Sequence, residues 1–340
     1  MRRIMKRFLG ILLLLLPLSL GAKDFDVSEV VFGHIGDAYE WHVAKIGQKD
    51  IVIWLPVIVR THDGQWHAFS SKNISEENSE YKGLRIAAKG QAHEGKIVEA
   101  DGSRPVMDIS ITKNVLSLLI SSLLLAILVL LTARWYKKHD AGKVAPKGLA
   151  ALMEPLILMI HDMARKNIGE ESYRRYSPFL LTAFLFILLN NFMGIIPFFP
   201  GGANLTGNIA CTLALALFTF FTVNLTGTKH YYKDIFNPSV PWFLKPIMVP
   251  VEFFSALVKP LSLTIRLFAN MLAGHIQILC MVSIIFIMAK YGGVLLGGMS
   301  FISVVFGLFL DCLEILISFI QAYIFTMLSS IYIGLARAKE

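Results

Sequence analysis

An arginine and a histidine lie inside one long apolar segment of the chain. The segment runs from Leu261 to Ala289, which is long enough to cross a bilayer with some tilt. Arg266 and His275 stand within it, although an arginine at the bilayer centre costs about 2.5 to 3.5 kcal/mol on insertion scales. Such a residue normally faces a protein interior or a water-filled cavity and marks a path for ions or substrates. The segment therefore predicts an intramembrane pathway.

Polar side chains also recur along the last apolar segment, about residues 300–335. Their spacings of three and four place them on one stripe of an otherwise apolar helix. The stripe consists of Asp311, Glu314, Ser318 and Gln321. Because carboxylates inside a span face inward, the stripe is predicted to face another helix of the same protein.

Helical periodicity divides the polar residues of the Arg266 segment between two faces. At about 100° per residue, Asn270 lies roughly 40° and Gln277 roughly 20° from Arg266. His275 lies about 180° away from Arg266 and roughly 13 Å further along the helix. The helix is thus predicted to carry an arginine face and, further along, a histidine on the opposite side.

The residues around Arg266 form a dense motif, KPLSLTIRLFANMLAGHI, over residues 259–276. The motif closely resembles the signature of subunit a of F-type ATP synthases, the membrane stator that conducts protons past a rotating ring of c subunits. This resemblance makes Arg266 the counterpart of the family's indispensable arginine, which faces the c-ring. It extends over roughly residues 115–335 and includes the upstream patterns F-N-x-x-x-P-W and P-x-x-x-x-E.

The resemblance also implies a function and partners. The chain is expected to be a non-catalytic, proton-conducting subunit that provides access half-channels to the c-ring carboxylates and couples ion flow to ring rotation and ATP synthesis. The expected partners are the c-ring, the b subunits of the peripheral stalk, membrane lipid and, indirectly, the soluble head. No cofactor is expected. The proton path is expected to include His275, Glu314, Asp311, Asn270, Gln321, Ser318, Gln277 and Asn191.

The chain departs from one common pattern of that family. Many bacterial members have a carboxylate directly after Ala-Gly on the fourth span and a histidine on the fifth, whereas this chain has His275 and Glu314. The exchange preserves a proton-exchanging pair if the two side chains are neighbours. The alternative is a core histidine hydrogen-bonded to Glu314. Asn190 and Asn191 on the second span also have two interpretations, because adjacent amides either join helices or line a water path.

The composition excludes an ordinary soluble protein. Of the 340 residues, 55% are hydrophobic and 16% are charged, and the mean hydropathy is +0.60. The net charge of +8 comes from Lys and Arg between apolar segments, as the positive-inside rule requires. No basic stripe interleaved with aromatic residues indicates a nucleic-acid partner. The three cysteines lie in apolar spans, so no disulfide framework is predicted.

We therefore predict an all-α polytopic membrane protein with about five transmembrane helices, the last two long and tilted, with interfacial helices and a small exported β-rich N-terminal domain. Residues 1–22 have the basic start and apolar core of a secretory signal peptide, with an uncleaved anchor as the alternative. Residues 23–112 form the exported domain and residues 113–340 the membrane domain. The predicted spans are about 115–135, 179–199, 209–226, 261–289 and 300–335.

The polar segments have their own predicted structure. Strand-like runs at residues 51–55 and 57–59 and Asp-Gly turns ending at Gly64 and Gly102 indicate the β-rich domain. Its histidines match no zinc spacing, so no metal site is predicted. Residues 149–163 favour a helix at the membrane surface. Four prolines within residues 234–258 predict a broken interfacial segment there.

The distribution of basic residues predicts the orientation in a bacterial inner (plasma) membrane. Lys and Arg follow the first span and the last span, which places both of those ends in the cytoplasm. The N-terminal domain is accordingly expected on the periplasmic side. This expectation agrees with the signal peptide, because both direct the N-terminal domain out of the cytoplasm.

Three other classes of protein fit less of the sequence. A secondary transporter usually shows internal repeats, and none is evident. An intramembrane enzyme needs a nucleophile with a base, or a metal motif such as H-E-x-x-H, and neither is present in the sequence. A purely structural anchor would leave Arg266, Asp311 and Glu314 without a role.

Overall fold

The computed structural model of the chain shows a β-rich N-terminal region followed by long helices. It describes residues 36–46, 49–75, 80–88, 90–139, 144–196, 199–289 and 293–337. The predicted signal peptide, residues 1–22, lies outside the described residues. The described residues divide into two compact units, and the smaller one contains residues 276–310. The features below lie in the larger unit unless stated otherwise.

The N-terminal region, residues 36–112, contains short strands in antiparallel sheets. The strands are β1 (Glu40–Ile46), β2 (Lys49–Trp54), β3 (Pro56–Arg60), β4 (Trp66–Ser70), β5 (Leu84–Ile86), β6 (Ile97–Glu99) and β7 (Met107–Asp108). They form the pairs β1–β2 and β5–β6 and the sheet β4–β3–β7. In β3 the side chains alternate between core and surface, and Val57 and Val59 are fully buried. The predicted strands are confirmed, and Gly64 and Gly102 adopt positive φ in the predicted turns.

Most of the described residues after position 112 are helical. The helices are α1 (Lys113–Lys138), α2 (Leu149–Ile168), α3 (Tyr173–Ile195), α4 (Ile209–Thr226), α5 (Lys229–Phe236), α6 (Lys245–Ala289) and α7 (Gly293–Arg337). Within the described residues, five helices are long and apolar enough to cross a membrane, namely α1, α3, α4, α6 over Lys245–Met281 and α7 over Phe301–Arg337. This confirms the predicted polytopic class and its β-rich N-terminal region.

The prediction of a broken segment before the Arg266 helix is wrong for residues 245–258. Helix α6 continues through Pro250 and Pro260 without interruption. A proline removes one backbone hydrogen bond, but membrane helices tolerate this where neighbouring groups compensate. Leu263, Leu267 and Met271 form a buried stripe along α6, one helical turn apart. This stripe begins shortly after Pro260 and packs the following part of α6 into the helical core.

The predicted second span, residues 179–199, is displaced towards the N-terminus. Helix α3 begins at Tyr173 because Tyr173 and Tyr176 are buried in the helical core, which extends the helix before Pro178. It ends at Ile195, and Ile196 is already extended with ψ of 117°. A proline follows Ile196 in the sequence and disfavours helical backbone at the residue before it.

The N-terminal region is joined to the helices by several contacts. The backbone N–H of Lys113 donates to the carbonyl of Ala38 at 2.8 Å, and the N–H of Asn114 donates to Asp37 Oδ1 at 3.1 Å. The ring of Trp41 packs edge-on against Phe199, with centroids 5.2 Å apart. These contacts fix the start of α1 and the α3–α4 loop to the β-rich region.

Candidate functional site

Helices α6 and α7 bring the predicted polar residues of both helices together at two levels. Asn270 Nδ2 donates a hydrogen bond to Gln321 Oε1 at 2.7 Å. One turn further along α6, Gly274 lies directly against the carboxyl group of Glu314, because a Cβ atom built on Gly274 would be only 2.8 Å from Glu314 Oε1. The two contacts occur in opposite order along the two helices, so α6 and α7 run antiparallel here.

Glu314 is a buried carboxylic residue with an open hydrogen-bonding atom. Its relative exposure is 5%, and its Oε2 atom has no hydrogen-bond partner among the described residues. A buried polar atom in a native protein normally has a partner. The absence of a side chain at Gly274 is what lets this carboxyl group approach the backbone of α6 so closely. His275 is the next residue after Gly274 and is half-buried.

Arg266 lies near the middle of the candidate span of α6 and is exposed on the surface of the chain. Its neighbour Leu267 is fully buried in the helical core, whereas Ile265 is half exposed. Arg266 forms no ion pair with any residue that the structure describes. Asn270 and Gln277, predicted to share its face, are also exposed. Gln277 belongs to the smaller unit.

Buried amides at the end of α3 and in the loop between α3 and α4, residues 196–208, bind backbone carbonyls of α6 and α7. Asn191 Nδ2 donates to the carbonyl of Ser318 on α7 at 3.2 Å, and Thr206 Oγ1 donates to Asn191 Oδ1 at 2.8 Å. Asn204 Nδ2 donates to the carbonyl of Met271 on α6 at 3.4 Å. The loop therefore contacts α6 directly, and it reaches α7 through Asn191 on α3.

The remaining predicted residues take different positions. Ser318 is fully buried, and its Oγ atom has no partner among the described residues. Asp311 is half-buried one turn before Glu314. Asn190 donates to the carbonyl of Phe186 in its own helix, and its Oδ1 atom has no described partner. The amide of Asn191 thus joins α3 to α7, whereas the Nδ2 atom of Asn190 bonds within its own helix.

Three residues of this site were not singled out from the sequence. Gly274 stands inside the recognised motif, but nothing in its type shows which side chain will pack on it. Asn204 and Thr206 lie in the loop between the second and third predicted spans, which carries no charged residue. Their polar types at a density of two in three residues were the available signal. Their burial depends on the loop folding back against α3 and α6.

A separate titratable cluster lies in the N-terminal region. Tyr39 Oη donates to Asp108 Oδ2 at 2.8 Å, and Arg104 pairs with the same carboxylate at 3.3 Å. Burial, followed by the neighbouring carboxylate, raises the pKa of Tyr39 to about 12. Burial also raises the pKa of Asp108, but hydrogen bonds from Ser110 and Tyr39 and the charge of Arg104 outweigh it, so the pKa lies below its ordinary value. This cluster stabilises the β-rich fold.

The fold and the site define a multi-pass membrane protein with ionisable residues inside its spans. Comparison with protein families identifies the particular kind. The family described as the ATP synthase A chain matches residues 118–334, which is most of the chain and all of the site. A second family, described only as a domain of unknown function, matches residues 30–116. The two matches meet close to the start of α1.

Relatives from several bacteria agree with the family match. The chain is 44% identical over 238 residues to "ATP synthase subunit a 2" of Prosthecochloris aestuarii, covering 68% of this chain and 70% of the relative. It is 44% identical over 259 residues to "ATP synthase subunit a" of Pelodictyon phaeoclathratiforme, with 74% and 71% covered. For "ATP synthase subunit a" of Myxococcus xanthus the values are 40% over 239 residues, with 68% and 74% covered. The chain belongs to the subunit a family of F-type ATP synthases.

Proposed function

We propose that this chain is the proton-conducting stator subunit of an F-type ATP synthase, with Arg266 facing the c-ring and Glu314 carrying protons towards it. Family membership supports the general role in proton transport and ATP synthesis. The assignment of individual residues is our proposal. The observation that carries it is the buried carboxyl group of Glu314, which has an open oxygen and lies against α6 beside His275.

The access path from the outside runs past Glu314. The buried oxygens without described partners include those of Asn190, Glu314 and Ser318. Ser318 lies one turn from Glu314 on α7, and Asn191 joins Ser318 to α3. Buried polar atoms with open hydrogen-bonding capacity suit water molecules and exchangeable protons. Asp311 lies one turn before Glu314 on α7, and His275 follows Gly274, which the Glu314 carboxyl group contacts on α6. Asn270 and Gln321 continue the path towards the arginine.

Arg266 acts as a fixed charge that does not exchange its proton. Because a guanidinium stays protonated in proteins, it holds no proton that it could pass on. A carboxyl group of a c subunit must be neutral while it faces lipid, since desolvation raises its pKa. Opposite Arg266 the nearby positive charge lowers that pKa by about 1 to 3 units, which releases the proton. The exposure of Arg266 on its own chain supports a partner carboxylate supplied from outside the chain.

The orientation and the domain organisation follow from the same role. Arg134, Lys137 and Lys138 lie at the end of α1, and Arg337 at the end of α7, which supports a cytoplasmic position for both ends. The β-rich region then lies on the periplasmic side, after a signal peptide at residues 1–22. The b subunits and, indirectly, the soluble head complete the assembly. The subunit itself performs no bond chemistry, which is the task of the head.

Arg266→Ala tests the coupling role. The variant complex is expected to assemble fully and to lose ATP-driven acidification of inverted membrane vesicles, because no charge remains to ionise the c-ring carboxyl group. Immunoblots of the subunits establish assembly in the same membranes. Acidification at the wild-type rate in an assembled variant would refute the role of Arg266.

Glu314→Gln tests the relay, with Ser318→Ala as its matched control. Glutamine keeps the size of the side chain but cannot exchange a proton at neutral pH. Ser318→Ala leaves the backbone carbonyl that binds Asn191 in place. Passive proton flux through membranes stripped of the soluble head is expected to fall about a hundredfold in the first variant, the lower end of a general acid–base contribution, and much less in the second. Equal fluxes would remove Glu314 from the path.

A further inference from the structure

The β4–β3–β7 sheet of the N-terminal region carries large apolar side chains on both faces. Its inner face contributes Val57 and Val59 to the core of the region, where Tyr39 and Leu84 are also buried. A small sheet usually buries one face and exposes polar residues on the other. The outer face of this sheet departs from that rule, because it also exposes large apolar side chains. We therefore expect another molecule to contact this face.

The strand register places six residues of the outer face side by side. Arg60 is directly opposite Trp66 on β4 and Met107 on β7. Two residues earlier, Ile58 is opposite Ala68 and its carbonyl accepts the N–H of Ile109. Side chains two residues apart on a strand share a face. We define the outer sheet face by these residues: Ile58, Arg60, Trp66, Ala68, Met107 and Ile109.

The outer sheet face is largely exposed on the surface of the chain. Trp66 is 54% exposed, Met107 45% and Ile109 55%, and Arg60 and Ala68 are also exposed. From the spacings of strands and residues, two strands of 5 residues and one of 2 cover roughly 190 Å². A stable protein partner needs about 800 Å² on each side. The outer sheet face is too small for such a partner by itself, but it has the size of a surface patch that touches lipid.

The face is rigidly joined to the first span. After β7 the chain stays extended, since the N–H of Ile111 donates to the carbonyl of Pro56, and α1 begins at Lys113. Ile109 is therefore at most about 13 Å from the first helical residue. Helix α1 has 26 residues, about 39 Å in length, so its first turn already lies among the headgroups of a bilayer with a core of about 30 Å.

The residue types suit that environment. Tryptophan is enriched at membrane–water interfaces, where its ring and its N–H meet apolar and wet surroundings. Arg60 supplies a positive charge beside Trp66, and the defined face contains no acidic residue. We propose that the outer sheet face rests on the phospholipid headgroups around the first span, with Trp66 at the interface and Arg60 beside anionic phosphates. This contact is independent of proton conduction.

Site-specific labelling of the complete complex tests the proposal. In a background with the three native cysteines replaced, Ala68→Cys places a fluorescent label on the outer sheet face and leaves Trp66 and Arg60 intact. Ala92→Cys is the matched control, because Ala92 is an exposed alanine on the β5–β6 loop of the same region. Both complexes are studied in nanodiscs of phosphatidylcholine and phosphatidylglycerol, in which quenchers reach both sides of the bilayer.

The label at position 68 is expected to be quenched at least about twofold more by headgroup nitroxide lipids than the label at position 92, as an interfacial contact requires. Adding Arg60→Gln is expected to reduce this difference in the anionic nanodiscs. Equal quenching of both labels by aqueous iodide would overturn the proposal, since the face would then lie in water. Protection of position 68 from both quenchers would also overturn it, because protein would then cover the face.

Discussion

Replacing Gly274 by alanine is the sharpest test of the proton path, because it moves one carboxyl group without removing any charge. The new Cβ would lie 2.8 Å from Glu314 Oε1 and 3.1 Å from its Cδ. Ordinary van der Waals contact begins near 3.4 Å. The carboxyl group must therefore shift by about 0.6 Å, while the backbone of α6 stays in place.

The shift should affect conduction more than stability. The atom displaced is the far end of a flexible side chain, so the cost in packing lies at or below the lower end of the 1 to 3 kcal/mol typical of overpacking. Alanine also returns about 1 kcal/mol through its higher helix propensity. A misplacement of about 1 Å in a reacting group can cost a hundredfold in rate. A shift of about 0.6 Å is then expected to reduce proton flux about tenfold.

The assay is passive proton flux through head-stripped vesicles, normalised to the amount of assembled complex. Gly307→Ala is the matched control, because Gly307 is also a helical glycine and a Cβ there meets no atom within 4 Å among the described residues. A rescue variant combines Gly274→Ala with Glu314→Asp, whose shorter side chain relieves the contact. Wild-type flux in Gly274→Ala, with normal assembly, would refute the reasoning that the position of Glu314 limits conduction.

Two further predictions concern stability. Asn270→Ala leaves the buried oxygen of Gln321 without its donor and should lower the stability of the complex by about 1 to 3 kcal/mol. Thermal unfolding measures this loss. Asn224→Ala is the control and should lower stability less, because it loses only a bond within its own helix. Because the folded pKa of Tyr39 is raised from 10.0 to about 12, the stability that neutral Tyr39 contributes is full below pH 10 and is lost as the pH rises towards 12. Proteolytic nicking of the N-terminal region should increase in that pH range, and Tyr39→Phe should abolish this alkaline step. At neutral pH the same variant should lower the free energy of unfolding of the region by about 1.5 to 3 kcal/mol, because the bond to Asp108 is lost. An unchanged pH profile in the variant would contradict this assignment.

The number and class of the spans were predictable because hydropathy reports directly on the cost of polar groups in lipid. Spacings of three and four likewise predicted the stripe on α7, and the structure buries Glu314, Ser318 and Gln321 on it. Both predictions use information contained in a single helix. The course of α6 through Pro250 and Pro260 was not predictable in this way, because prolines at this density locally indicate a break in the helix.

The same distinction applies within the site. Arg266 could be singled out because a charge in an apolar span is costly wherever its partner lies. The role of the α3–α4 loop could not, because Asn204 and Thr206 become part of the site only when the loop folds against α6 and α3. Local sequence says that such residues are polar and suited to a turn. It does not say which backbone carbonyls they will bind.

The contact at Gly274 gives a physical reason why His275 on α6 and Glu314 on α7 could replace the carboxylate and histidine that many bacterial members of the family have at these positions. A carboxyl group on α7 reaches the backbone of α6 only where α6 has no side chain, and Gly274 provides that opening directly before His275. A proton relay across this opening requires two titratable groups at the same level, but it does not require a particular one on either helix. The opening, more than the identity of the pair, should therefore be the element that proton conduction cannot lose.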